Sequence, residues 1–262
     1  MYKEFAGKTV IVTGASAGIG RGAAIRFGAE GAKVVVVASS GGAKAEETVN
    51  LIRAAGGEAM AIQCDVSNEQ QVAAMVQKTV ETYGSVDYAF NNAGIGPDGV
   101  RIMFGPLTEL SEDVWDRVMA VNVKGVFLCM KHELLQMQKQ GHGAIVNTAS
   151  VGGLRMVPGF GAYGPSKAAV VAVTQTAAAE NAPLGIRVNV VCPGPTAGTE
   201  LSNNSSQPKD DEPAHDPAAV IPLGKMGSVD DVANAVLWLC SEQSGHITGH
   251  AMSVDGGMAD FG

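Results

Sequence analysis

A chain of 262 residues with 46% hydrophobic composition can bury one substantial core, and residues 1–262 are expected to form a single domain. The formal charge of −8 excludes a nucleic-acid partner, which would need a clustered basic surface. No run approaches the roughly 18 to 20 apolar residues that cross a bilayer, and MYKEFAGKTVIVTG lacks the charged, apolar and small-residue order of a secretion signal, so no membrane and a cytoplasmic location are expected.

Lys8–Thr13, Lys33–Ala38 and Glu58–Gln63 are short β-rich runs, each separated from the next by room for a helix. Val86–Phe90, Ala144–Thr148, Ile186–Val191 and Ala251–Val254 continue the alternation. The pattern predicts an α/β fold: a doubly wound parallel sheet of about seven strands, apolar on both faces and covered by helices on both. Val72, Met75, Val76, Thr79, Val80 and Tyr83 recur at helical spacing behind a predicted Ser67-x-x-Gln70 capping box, and Val232, Ala235, Val236, Leu239 and Cys240 repeat this behind Ser228-x-x-Asp231. Cys64, Cys129, Cys192 and Cys240 form no CxxC pair and read as reduced core residues. One segment breaks the rhythm: Thr196–Pro222 carries four prolines, an acidic cluster at Asp210–Glu212 and little periodicity, and is expected to be a mobile lid over a substrate.

After the first strand comes Thr13-Gly14-Ala15-Ser16-Ala17-Gly18-Ile19-Gly20, followed by a segment compatible with a helix. Strand, glycine-rich turn and helix N-terminus in that order suit a pyrophosphate, because glycine lets the backbone approach and free N–H groups face the anion. Cofactor choice is set at the end of the second strand, where an acid bonds a ribose 2′-OH and a base pairs with a 2′-phosphate. Ala38-Ser39-Ser40 offers neither. The missing carboxylate removes repulsion of a phosphate that Ser39 and Ser40 can bond, which favours NADP(H) over NAD(H), with Arg21 and Lys44 as candidate helpers.

Tyr163-Gly164-Pro165-Ser166-Lys167 places a phenol and an ammonium four residues apart, on one helix face if the helix has begun. Pro165 is tolerated only in a first turn, which puts Tyr163 at the helix's N-terminal end. A carbonyl reduced by hydride needs a proton, and an adjacent ammonium should lower the phenol's pKa toward neutrality. Ser150, ending the fifth strand, can hold the substrate oxygen, and Asn122 sits mid-helix, where asparagine interrupts local bonding.

The spacing Gly14-x3-Gly18-x-Gly20, with Asn122, Ser150, Tyr163 and Lys167 in chain order, resembles the short-chain dehydrogenase/reductase family over nearly the whole chain. The resemblance implies a Rossmann-type fold and a nicotinamide cofactor held by Gly14, Ser16, Gly18, Ile19 and Gly20. It also implies that Asp65-Val66 contacts adenine and that Asn92, Ala93 and Gly94 wall the adenine ribose. By the same resemblance Ser150 polarises the substrate oxygen, Tyr163 exchanges its proton, Lys167 binds the nicotinamide ribose and Asn122 anchors a relay water. Pro193, Gly194 and Thr196 resemble the segment that contacts the carboxamide, where Thr196 and Thr199 compete for one role. A homotetramer built through Leu110–Gln138, Gly161–Asn181 and the last strand is implied as well.

The activity expected is hydride transfer between nicotinamide and a small-molecule carbonyl or secondary alcohol. The pocket is expected between Ile95–Phe104, Gly152–Phe160 and the lid, lined by Met103, Phe104, Leu154, Met156, Val157 and Phe160. These favour an uncharged cyclic or aryl ketone or alcohol, with Arg101 or Arg155 as alternative anion anchors. Two rivals remain: a catalytically silent NAD(P)-sensing protein of the same fold, and an NAD-dependent epimerase or dehydratase. No metal is expected, since His132-Glu133-Leu134-Leu135-Gln136 fails the HExxH pattern.

Overall fold

The computed structural model describes residues 2–40, 42–99, 105–201 and 216–261. Strands β1 (Thr9–Thr13), β2 (Lys33–Ala38) and β3 (Glu58–Gln63) alternate with helices α1 (Gly18–Ala29), α2 (Gly42–Ala54) and α3 (Glu69–Tyr83). Strand β4 (Tyr88–Asn91) leads to α4 (Glu112–Met119), a π-helical turn over Ala120–Lys124, and α5 (Gly125–Gln140). Then follow β5 (Gly143–Thr148), the single turn α6 (Val151–Leu154), α7 (Tyr163–Asn181), β6 (Ile186–Pro193), α8 (Val229–Cys240), β7 (Ala251–Val254) and α9 (Met258–Phe261).

All pairings are parallel, and the seven strands lie in the order β3-β2-β1-β4-β5-β6-β7. The chain winds outward from β1 to β3, then returns to β1's other side with β4. That reversal makes the C-terminal edge between β1 and β4 the place where flanking loops diverge and a ligand crevice opens.

Strands buried on both faces need apolar residues at successive positions, and β1 and β2 supply Val10-Ile11-Val12 and Val34-Val35-Val36-Val37, all fully buried. Ile11, Val35 and Val37 pack with Val72, Met75, Val126 and Val170 beneath α3, α5 and α7. Val10, Val12, Val34 and Val36 pack with Ala23, Phe27, Val49 and Val236 beneath α1, α2 and α8. Each such side chain stabilises the fold by about 1.5–3 kcal/mol relative to exposure. Two such cores fix the sheet and hence the loops at its edge.

Local signals behave as their chemistry dictates at α8, where Ser228 Oγ accepts from Asp231 N at 3.2 Å and Asp231 Oδ2 accepts from Ser228 N at 2.8 Å. At α3 the cap falls one residue later than the expected Ser67. Asn68 Oδ1 accepts from Gln71 N at 3.2 Å, while Ser67 N and Oγ both donate to Asp65 Oδ1. The strand ahead of α4 also starts later than expected. Val86 N and O are both bonded to the Gln140 side chain instead of a neighbouring strand, and β4 begins at Tyr88. Pro165 lies in the first turn of α7, where its missing N–H removes no helical bond.

Asn68→Ala should therefore lower unfolding stability by about 1 kcal/mol in a urea titration, with Ser67→Ala costing clearly less. The reverse order would return the cap to Ser67.

Candidate functional site

The turn after β1 runs through the crevice. Gly14 and Gly18 have φ of 65° and 52°, left-handed values that an L side chain resists. A Cβ on Gly20 would stand 2.3 Å from the Gly14 carbonyl oxygen, so this position requires glycine for the turn to pack onto its own helix. The turn is pinned from β4: Thr13 Oγ1 accepts from Asn92 N (3.0 Å) and Ala93 N (3.1 Å), and Asn92 Nδ2 donates to Thr13 O (3.2 Å). Thr13 is a site-shaping residue that the sequence pattern did not single out. Its place as the last residue of a strand facing an Asn-Asn pair was the available signal.

A cleft of about 630 Å³ opens here. Its floor collects Gly14, Gly18, Ile19, Asn92, Ala93 and Gly94 on one side and Ser150, Tyr163, Lys167, Pro193, Gly194 and Thr196 on the other. Thr199 also lines it, and lies against Gly18, where an added Cβ would meet the Thr199 methyl at 3.5 Å. Thr196 is buried, donates to Gly194 O at 2.9 Å and bridges to Gly227. The two threonines thus occupy different places, Thr199 beside the glycine turn and Thr196 beneath the loop.

Other expected cofactor residues lie outside this cleft. Gly20 is packed beneath the turn and Ser16 faces a second groove with Arg21 and Lys44. Ser39 and Ser40 are exposed at the end of β2, and Gln63 Nε2 donates to Ser39 O at 3.2 Å. Asp65 is exposed and holds Ser67, and Val66 packs on Gly125. Arg21 is less available than its position suggests: it donates to Glu47, Thr48 Oγ1 and Ser16 O. Lys44 pairs with Glu200 at 3.0 Å with both side chains exposed, an arrangement that contributes about 0–1 kcal/mol and yields readily to a stronger partner.

The second cluster is built by β5, α7 and the π turn. Lys167 projects from the second turn of α7 and donates to Thr148 O at 2.9 Å, with its Nζ 5.6 Å from the Tyr163 ring centroid. Tyr163, at the start of α7, is hydrogen-bonded to the Ser150 side chain, and Phe160 packs edge-on against its ring at 6.1 Å. Asn122 lies in the π turn, the one place where the helix from α4 to α5 widens. Its Oδ1 accepts from Ile95 N (2.8 Å) while Nδ2 donates to Ile95 O (3.0 Å) and Ser166 Oγ (3.0 Å). Asn122 thus sits where regular α-helical bonding gives way to a π turn, and its side chain clamps the loop after β4 to α7. Gly94 closes the gap: a Cβ there would lie 3.2 Å from Lys167 Nζ and 3.3 Å from Asn122 Oδ1.

The electrostatics correct one expectation. Burial pushes the Tyr163 phenol up to about 12, only partly opposed by its bond from Ser150, and burial drives Lys167 down to about 8. Desolvation outweighs the nearby ammonium, so the phenol lies above its ordinary value instead of being brought toward neutrality.

Above the cluster the wall is mostly apolar. Met156, Val157 and Phe160 line it as expected, joined by Arg155. Leu154 is not among the lining residues, while Met103, Phe104, Arg101 and the expected lid's residues 202–215 lie outside the described residues. Leu201 and Val220, from the expected lid segment, line the wall as well, and Met226, Met258 and Ala259, which were not foreseen, complete it. Met258 and Ala259 arrive because Asp255 accepts from Gly257 N (2.9 Å) and Ala259 N (2.7 Å), folding the C-terminal turn over the cleft. No periodic pattern marks such a turn. Among the described residues no cluster of three His, Cys, Asp or Glu could hold a metal ion, and no helix is long and apolar enough to cross a membrane.

The glycine turn, the helix N-terminus behind it and the Asn92-Ala93-Gly94 wall fit an adenine dinucleotide, and Ser150 and Tyr163 line the same cleft. Comparison with known proteins finds relatives over nearly the whole chain. A family described as enoyl-(acyl carrier protein) reductase matches residues 14–259. An uncharacterized oxidoreductase of Thermotoga maritima is 41% identical over 97% of this chain and 98% of its own. The 3beta-hydroxysteroid dehydrogenase 1 of Eggerthella lenta is 40% identical over 98% and 96%. The crystal structure of 3-ketoacyl-(acyl-carrier-protein) reductase from Brucella melitensis complexed with NADH superimposes with a TM-score of 0.87 at 35% identity, covering 97% and 99%.

Gly20→Ala should abolish the rise in NAD(P)H fluorescence on titration with protein while circular dichroism stays native. Unchanged binding would remove the glycine turn from the cofactor site.

Proposed function

The chain belongs to the short-chain dehydrogenase/reductase family, and from that premise we propose that Tyr163, Ser150, Lys167 and Asn122 carry an NAD(P)-dependent reduction of a ketone, or its reverse. The observation that carries this reading is the convergence of a buried phenol, a hydroxyl and a buried ammonium at one end of a dinucleotide-shaped cleft. A nicotinamide cofactor bound in the crevice supplies or accepts the hydride. As hydride reaches the carbonyl carbon, the π pair moves onto oxygen. Ser150 donates a hydrogen bond to that oxygen, and Tyr163 delivers the proton that completes the alcohol. The charge on Lys167, 5.6 Å from the ring centroid, supports the phenolate left behind. Asn122 holds Ile95 and Ser166, and so fixes the loop and helix that flank the reacting atoms; we assign it the anchoring of a relay water as well.

NADP(H) is favoured over NAD(H). No carboxylate stands at the end of β2, Ser39 and Ser40 are exposed there, and Lys44 is held only by an exposed pair. Arg21, bound to Glu47, contributes less than its charge suggests. The substrate is an uncharged cyclic or aryl ketone or alcohol, in keeping with a wall of Met156, Val157, Phe160, Val220, Met226 and Met258 and with the steroid named for the Eggerthella lenta relative. The segment after β6 acts as its lid. The 1–262 chain works as one domain and assembles as a homotetramer in the cytoplasm, the assembly supported by Phe127 and Leu135 standing 48% exposed on α5.

The test is absorbance-monitored oxidation of NADPH and NADH against ketones and keto-acids. Tyr163→Phe should lower turnover by about 10²- to 10⁴-fold while cofactor still binds. NADPH should outperform NADH, and apolar cyclic ketones should outperform keto-acids. Reductase kcat/KM should fall as pH rises through about 8, because Lys167 then loses the charge that supports the phenolate while the phenol, held up to about 12, stays protonated. Cofactor binding with no turnover across the panel would favour the sensing protein instead.

A further inference from the structure

Glu133 takes no part in the chemistry above, yet it is a fully buried carboxyl on α5. The hydrogen bonds around it have a direction that can be read from donor counts. Thr174 Oγ1 donates its single proton to Val170 O at 2.6 Å, so it can only accept from Asn147 Nδ2, at 2.8 Å. That orients the Asn147 amide, whose Oδ1 accepts from Asn91 Nδ2 at 3.1 Å. The Asn91 amide is oriented in turn, and its Nδ2 also donates to Glu133 Oε2 at 2.9 Å. Two buried acceptors are then left without a partner, Asn91 Oδ1 and Glu133 Oε1. They belong to the two side chains already joined by one bond. A buried acceptor without a donor is costly, and a carboxylate oxygen more so.

We propose that Glu133 is held as a neutral carboxylic acid whose Oε1 hydroxyl donates to Asn91 Oδ1, and that the resulting two-point pair positions the cofactor wall and the Lys167 partner. The groups facing Glu133 permit this. Asn91 and Asn147 come from the sheet and Thr174 from α7, all uncharged, and α3 presents Val72, Met75 and Val76 to the same core. On α5 itself, burial holds the Cys129 thiol well above its ordinary range and so neutral, while His132 and Lys131 turn to Glu69. Burial pushes Glu133 up to about 7, the direction the geometry requires. Positioning follows from sequence adjacency: Asn91 precedes Asn92-Ala93-Gly94, Asn147 precedes the Thr148 carbonyl that binds Lys167, and Thr174 shares a helix with Tyr163.

The protonation claim stands without the proposed reaction; the positioning claim rests on it. Infrared spectra of wild type and E133Q at pH 6, where exposed carboxyls are ionised, test the first. Wild type should show the carbonyl stretch of a protonated acid that E133Q lacks, and that band should vanish as pH rises past Glu133's titration. NAD(P)H affinity tests the second. E133Q, whose amide can reproduce both bonds, should bind cofactor as wild type does at pH 6 and lose several-fold less affinity than wild type between pH 6 and 9, since both share the loss of the Lys167 charge and only wild type ionises at position 133. If E133Q does not fold, the wild-type band decides the protonation, and the positioning is decided by whether wild-type affinity falls together with that band or only with the later loss of the Lys167 charge. No acid band at pH 6 overturns the protonation, and an affinity that ignores the band's loss overturns the positioning. Absence of ketone turnover with both results intact would fall on the proposed function instead.

Discussion

The hydrogen bond from Lys167 to the Thr148 carbonyl ties the helix that begins with Tyr163 to the last residue of β5, two positions before Ser150. It is made by an ammonium with almost no access to water, so its geometry is held by packing as well as charge. Everything chemically distinctive lies within a few residues of that bond. Ser150 follows Thr148 by two positions, Tyr163 precedes Lys167 by one helical turn, and Asn122 reaches Ser166 between them.

Around this bond the fold supplies rigidity from below and openness above. The parallel sheet buries both faces of β1, β2 and β4, and its order reverses beside β1, so the glycine turn and the Asn92-Ala93-Gly94 wall meet across one crevice. Burial that anchors the reacting groups also sets their protonation. The phenol is kept as an acid and the lysine is brought toward physiological pH, by desolvation in both cases. A site made this way suits donating a proton more than abstracting one.

Much of this was legible in the sequence. Seven apolar runs at helical separations gave the strand count, and their near-continuous apolar character predicted a sheet covered on both sides, because period and burial are properties of the strands themselves. Glycines at 14, 18 and 20 were readable because their roles are steric and local. What could not be read depends on three-dimensional neighbours. The cap of α3 moved to Asn68 because Ser67 found Asp65 first. The phenol's shift reversed because its burial, which no spacing rule includes, outweighs the neighbouring ammonium. Met258 and Ala259 reached the cleft through a turn organised by Asp255, and Glu133, noticed only as part of a failed metal motif, proved to sit in a buried amide chain.

The central claim is direct hydride transfer to a substrate carbonyl with protonation by the protein. Incubating the enzyme with a cyclic ketone and a reduced cofactor deuterated at the transferring position of the nicotinamide tests it most directly. The account predicts one deuterium on the carbinol carbon of the product and a solvent-derived proton on its oxygen. Deuterium released to water, or returned to the cofactor with the substrate rearranged instead of reduced, would contradict it.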